Sequence, residues 1–416
     1  MIDHLVGTKM LLPNQLKDIK QVPPFSLAVE QVKINGENRG PTEILVSYDE
    51  QGSPLLSLGE IFPSTMSALN CEIQVRYKAD SDPWPILITK REFNPEQNKP
   101  IVEARLSREP LVLIDKSDSK KFEAALISAP RFLKNPILLI DKNGNKFEIK
   151  PSKSAEGATC FIRSDLHLNA KDPLKPLAPF INFLTFAKGC HCGLGNLFAY
   201  AENDSIAFRS LGFSRNDQGK RETNWFDIEI QKDLPEIFSQ FSLASAEEKT
   251  NKALHQTINF YRASNVSRTT SIEMSIIAAH SALEAIVNFI LTYRAGWSKA
   301  MMNNRTIAFS DKNRAAAQHF GIDSDLLSRS PELAKFSKNN SDIDVFEIIS
   351  RFRNKLVHQD TRNSPTGLQL HETWLIAQWM VEVFIFGVIG YRGTIIDRRI
   401  YNGWRGTTCQ IPLSRY

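Results

Sequence analysis

Between positions 351 and 358 the chain reads Arg351-Phe352-Arg353-Asn354-Lys355-Leu356-Val357-His358, a run that gathers groups able to act on a phosphodiester. An imidazole titrating near neutrality can take a proton from a ribose hydroxyl or return one to a leaving oxygen. A guanidinium fork can hold a phosphate and offset the charge that grows on it in the transition state. Asn354, one helical turn before His358, can orient the imidazole or bind a phosphate oxygen. RNA supplies its own nucleophile, the 2′-hydroxyl, so this chemistry requires no metal. The competing reading is a solvated helix face that happens to hold a His. Spacing alone favours that reading, because motifs this short arise easily.

The element that must position these groups is a helix over about Asp344 to Val357. At about 100° per residue, Val345, Ile348, Ile349, Phe352 and Leu356 gather within about 100° of arc and predict a core stripe. Arg351, Asn354 and His358 fall on the opposite side, and Arg353 on the flank. Around it the sequence predicts further helices. One is capped by Ser245, with Glu247 and Glu248 in its first turn, and runs to about Ala263. Others cover about Ser271 to Tyr293, Asn313 to Phe320 and Leu370 to Val388. Short polar connections between them imply an antiparallel bundle. Glu284 and Glu382 stand inside otherwise apolar helices, where a carboxylate is costly unless paired. Either they approach Arg353 and His358 and orient them, or they form a structural ion pair or a partly wet position. His371 shares a face with Glu382, which reads as core packing beside a polar contact.

The first 230 residues read differently. Short apolar runs, Glu43–Tyr48, Glu72–Tyr77, Pro85–Thr89, Pro110–Ile114 and Pro136–Asp141, alternate with Pro, Gly, Asn and Asp. Asp141-Lys142-Asn143-Gly144-Asn145 predicts a hairpin turn, and Pro179–Lys188 predicts a helix with Phe180, Phe183, Leu184 and Ala187 on one face. The expected fold class is α+β: a β-rich N-terminal domain over 1–240, a sandwich or distorted barrel, followed by a helical bundle over 241–416.

The 416 residues carry 23% charged and 42% hydrophobic side chains, which argues against global disorder. Residues 1–240 have a net charge of −1 and residues 241–416 one of +6, so the C-terminal part is the candidate for a polyanionic partner. Five thinly spread cysteines and no recognisable signal peptide point to the cytoplasm. The most apolar run, Trp374 to Gly390, contains Gln378 and Glu382 and reads as a buried bundle helix rather than a membrane span. Cys190-His191-Cys192 resembles a metal-binding fragment, but its thiols are closer than the usual zinc spacing. Cys160 or His167 would have to complete a site through folding, and the simpler reading is a cysteine-bearing turn. No cofactor is called for: neither a dinucleotide fingerprint nor a G-x-S-x-G elbow is present.

Arg353-Asn354 followed by His358 resembles the Arg-x(4–6)-His motif of HEPN-domain ribonucleases, with the customary polar residue after the Arg. Ala253-Leu254 through Asn259-Phe260-Tyr261 to Ser264-Asn265, and Ile276 through Ala282-Leu283-Glu284-Ala285, resemble the opening helices of ApeA-like HEPN proteins. Trp374-Leu375 to Val381-Glu382-Val383, then Gly390-Tyr391-Arg392-Gly393 and Asp397-Arg398, resemble the closing helix and tail. The resemblance covers about residues 245–416. It implies a metal-independent endoribonuclease of an antiphage abortive-infection system, with RNA, tRNA among the candidates, as substrate and a phage-derived trigger. It also implies a homodimer in which two motifs face each other, Arg353 and His358 as the catalytic pair, and Asn354 as support. Arg351 fits the motif as well, through Arg-x(6)-His. The alternative within the resemblance is a catalytically silent HEPN protein that binds RNA or protein.

Overall fold

A computed structural model of the chain describes residues 25–48, 53–58, 73–76, 84–94, 99–106, 111–114, 118–127, 135–151, 159–214, 217, 224–226, 228–322, 326–358, 364–400 and 408–411. The class is α+β, a β-rich region followed by a helical one. Two compact units result. The first takes its described residues from Met1–Ile137, Lys146–Leu177 and Cys192–Gln218, the second from Leu138–Asn145, Ala178–His191 and Gly219–Tyr416. The units therefore do not divide at residue 240.

In the first unit one antiparallel sheet orders its strands 25–29, 42–48, 54–57, 99–106, 84–94, 73–76, 31–34 and 37–38. Alternation drives it: in Thr42–Tyr48 the side chains of Ile44, Val46 and Tyr48 are buried, while those between them lie nearer the surface. Val32, Ile34, Ile73, Val75 and Leu56 share that core, and Leu113 and Leu211 join it from a second antiparallel sheet. That sheet includes 146–151, 159–164, 121–127, 193–200, 206–213 and 111–114, in this order.

In the second unit the predicted turn is present. Asp141 Oδ1 accepts from the amides of Asn143 and Asn145 at 2.8 and 2.9 Å, and Gly144 takes a φ of 85°. The helices are α1 (Ala178–Lys188), α2 (Leu234–Ala244), α3 (Glu248–Ser267), α4 (Ile272–Phe289), α5 (Lys299–Met302), α6 (Phe309–His319), α7 (Pro331–Lys338), α8 (Val345–His358) and α9 (Gly367–Ile389). Helix α1 buries Phe180, Phe183, Leu184 and Ala187, as their spacing predicts. It belongs to the helical unit because its aromatic face meets Phe238, Phe241, Trp225, Tyr261 and Phe386 there.

Ser271 caps α4 by accepting from the Met274 amide at 3.1 Å, and a π turn extends the helix to Arg294. Ser245 does not cap α3: it lies at the C-terminal end of α2, and Glu247 precedes α3. Helix α2 has no counterpart in the sequence reading, and its presence moves the cap two residues on, from Ser245 to Glu247. Helix α9 is apolar on nearly every side, so it is enclosed rather than amphipathic. Residues 272–294 and 367–389 are long and apolar enough to cross a membrane by length and composition, yet the apolar 18-residue stretch within each is 61% and 83% buried within the protein.

Candidate functional site

Helix α8 starts where Asp344 accepts from the Glu347 amide at 2.9 Å, closing one orphan donor of the first turn. Arg314 anchors that carboxylate with Nε and Nη2 at 2.8 and 2.6 Å. The helix then buries Val345, Phe346, Ile348, Ile349 and Phe352, with Phe352 edge-on to Phe336 at 4.8 Å. Leu356 is only half-buried, so the stripe fades toward the C-terminal end.

Off this stripe the four candidate groups separate. Arg351 is exposed and its Nε donates to Glu347 at 2.9 Å, a pairing one turn apart that occupies its charge. Arg353 is half-buried at the flank and its Nη1 donates to Asn354 Oδ1 at 3.0 Å. Asn354 thus holds the guanidinium rather than the imidazole. Among the described residues no carboxylate pairs with Arg353. His358 is exposed in the last turn of the helix. Arg353 and His358 lie about 140° apart around the helix axis, so one helix does not aim both at one atom.

The spacing argument missed His280. This residue is buried on α4, its ring 4.5 Å from that of Phe309 at the start of α6. Burial, and second the charge of Arg353, push its pKa down to about 4. His280 is therefore a neutral imidazole at neutral pH, on a neighbouring helix where it feels the charge of Arg353. The signal available in the sequence was a His amid apolar residues, Ile276 to Ile290, at helical spacing from them.

The two carboxylates fare differently, and among the described residues neither pairs with Arg353. Glu284 is exposed rather than buried, because its position on α4 lies off the side that buries Leu283, Ile286 and Val287. Glu382 is wholly buried, but its Oε1 accepts from Arg398 at 2.7 Å, Tyr261 at 2.6 Å and the Trp225 amide at 3.3 Å. It is a structural ion pair. Its expected role of orienting Arg353 or His358 is corrected by these partners, which already use it. Burial, the larger influence, raises its pKa against the pull of Arg398.

Cys160, Cys190 and Cys192 are buried and form no disulfide. Burial, helped by the Cys192 thiol, pushes the Cys160 thiol up to about 12. His191 Nδ1 lies 3.2 Å from Thr185 Oγ1 and its carbonyl accepts from Lys188, a turn at the end of α1. Among the described residues no three His, Cys, Asp or Glu side chains converge to hold a metal. Cys71, one of the five cysteines, lies outside the described residues.

Fold and site together define an α+β protein whose helical unit carries an Arg–Asn–His group on one helix and a buried neutral imidazole on another. Residues 247–409, which contain all of these, match the family described as the YopA C-terminal domain. The chain is 24% identical over 233 residues to the SPbeta prophage-derived uncharacterized protein YopA of Bacillus subtilis (strain 168). That match covers 54% of this chain and 50% of the relative, so the chain spans about half the length of the curated relative it matches. No solved structure matches it.

Proposed function

We propose that the helical unit is a metal-independent endoribonuclease of the HEPN type, serving an antiphage abortive-infection response in the cytoplasm, with RNA, tRNA among the candidates, as substrate. The observation that carries this reading is the state of Arg353. A half-buried guanidinium, held by Asn354 and paired with no described carboxylate, has its charge available for a phosphate. His358 stands exposed on the same helix, five residues on, as the group that moves the proton. Because the two lie about 140° apart, the working site joins two copies across a two-fold axis, where each patch meets itself. In this reading the β-rich unit senses a phage-derived trigger, restrains the nuclease or binds substrate.

Attack by the 2′-hydroxyl on the adjacent phosphorus expels the 5′-oxygen of the next nucleotide. It leaves a 2′,3′-cyclic phosphate on one product and a 5′-hydroxyl on the other. Purified protein incubated with RNA in EDTA tests this directly. Cleavage with those termini is expected, and DNA, which lacks the 2′-hydroxyl, should resist. Activity that vanishes in EDTA and returns with a divalent ion would overturn the mechanism. Binding of RNA without cleavage under any activating condition would replace the enzyme with a silent binding module.

A further inference from the structure

Arg268, which follows α3, and His371, in the second turn of α9, meet beside the indole of Trp374. Arg268 Nη2 lies 3.2 Å from His371 Nδ1. The guanidinium carbon sits 5.4 Å from the centre of the Trp374 ring, and the His371 ring stacks on that indole at 6.1 Å and 25°. A guanidinium nitrogen only donates, so Nδ1 accepts, and the neutral ring carries its proton on Nε2. Burial, and second the charge of Arg268, hold His371 below its usual pKa.

What this cluster offers a ligand is one-sided. Arg268 makes no ion pair with a carboxylate among the described residues, and its Nε is buried without a hydrogen-bond partner. Glu372, next to His371, is occupied by the amides of Glu332 and Leu333 at the start of α7. Glu273, at the start of α4, accepts from the Ser271 hydroxyl. Arg398 also lies against Trp374, at 5.2 Å, but Glu382 neutralises it. Arg268 therefore contributes the uncompensated positive charge. Its Nη1 N–H groups and His371 Nε2–H are donors with no acceptor among them. A donor-only set that carries one positive charge suits an acceptor-only anion, above all a phosphate. The place is relevant too. His358 ends α8 and Gly367 begins α9, so a short stretch of chain links the imidazole of the proposed nuclease to the helix end that carries His371.

We propose that Arg268 and His371 form a second phosphate-binding site, which takes a backbone phosphate of the RNA strand away from the bond being cut. The identity of the strand rests on the nuclease reading; the phosphate chemistry does not.

The test uses the full chain and a 2′-O-methyl RNA oligonucleotide, which cannot be cleaved, with affinity read by fluorescence anisotropy across a range of salt. Arg268→Gln should weaken binding about tenfold, as expected for one lost charge-assisted hydrogen bond, and should reduce the salt slope by about 0.7 for the lost phosphate contact. In the unaltered protein, the ¹⁵N resonance of His371 Nε2 should shift as the oligonucleotide saturates, which keeps the test decisive if the variant folds poorly. Wild-type affinity and slope in Arg268→Gln, or a His371 resonance that neither the oligonucleotide nor inorganic pyrophosphate moves at saturation, would overturn the site. A His371 shift with inorganic pyrophosphate and none with the oligonucleotide would overturn the strand as ligand. Cleavage of unmodified RNA is scored separately. Arg268-dependent binding by a chain that cuts nothing upholds the site and removes the nuclease reading, whereas cleavage with Arg268-independent binding does the reverse.

Discussion

The carboxylate of Glu382 and the guanidinium of Arg398 meet at 2.7 Å with neither side chain in contact with solvent. Sixteen residues apart, they tie the segment after α9 to that helix. Tyr261 closes the group from α3, donating to Glu382 and accepting from Arg398 at 3.3 Å. Two charges out of water are tolerable only together. Glu382→Ala and Arg398→Ala should each cost about 3–5 kcal/mol, because each leaves an unpaired buried charge. Urea denaturation of the single variants and of the double variant measures this, and a loss below about 1 kcal/mol in both singles would remove the pair from the stability account.

His358→Ala and Arg353→Ala should each lower RNA cleavage by about 10²–10⁴-fold, the range for a lost proton-transfer group or a lost stabiliser of transition-state charge, with little change in melting temperature. Arg353→Lys should be nearly as poor, since an ammonium does not reproduce the planar fork. Arg351, exposed and engaged by Glu347, should tolerate Ala with a loss under about tenfold. A dead Arg351→Ala beside an active Arg353→Ala would transfer the phosphate-binding role to the other arginine.

Subunit mixing tests the shared site. His358→Ala and Arg353→Ala chains, each inactive alone, should regain cleavage when co-refolded, because a heterodimer can place one intact Arg opposite one intact His. Full-rate cleavage by a species that light scattering shows to be monomeric would refute the two-fold arrangement.

His280 gives a pH signature. Its folded pKa of about 4 lies below the unfolded value near 6.5, so the unfolded chain binds the extra proton. The stability due to the neutral native His is complete above about pH 6.5 and is lost as pH falls toward 4. Between pH 7 and pH 4.5 this amounts to about 2–3 kcal/mol. Denaturation at the two pH values should show a smaller drop for His280→Phe than for the parent by that amount. Equal drops would mean that His280 titrates normally.

Much of the helical unit was legible in the sequence because its signals are local. The apolar spacing of Val345, Ile348, Ile349 and Phe352 and the cap at Ser271 each depend only on residues within a turn or so of one another. They fixed which side of α8 faces the core and hence that Arg351, Asn354 and His358 point away from it. The sheets announced themselves by alternation in the same way. Helix α2, where Phe238 and Phe241 lie close behind an apparently β-rich stretch, was lost because the change of character was placed at Phe241.

Tertiary structure decided everything that depends on which chain covers which side chain. Glu284 and Glu382 look alike in sequence, each a carboxylate among apolar neighbours, yet one reaches solvent and the other is enclosed with Arg398. Asn354 turned to Arg353 rather than to His358. His280 came to feel the charge of Arg353 across more than seventy residues, and Arg268 met His371 across a hundred and three. Spacing along a chain sets the direction of a side chain on its own helix. The partner it finds, and with it the cost of its charge and its pKa, is set by the packing of helices distant in sequence.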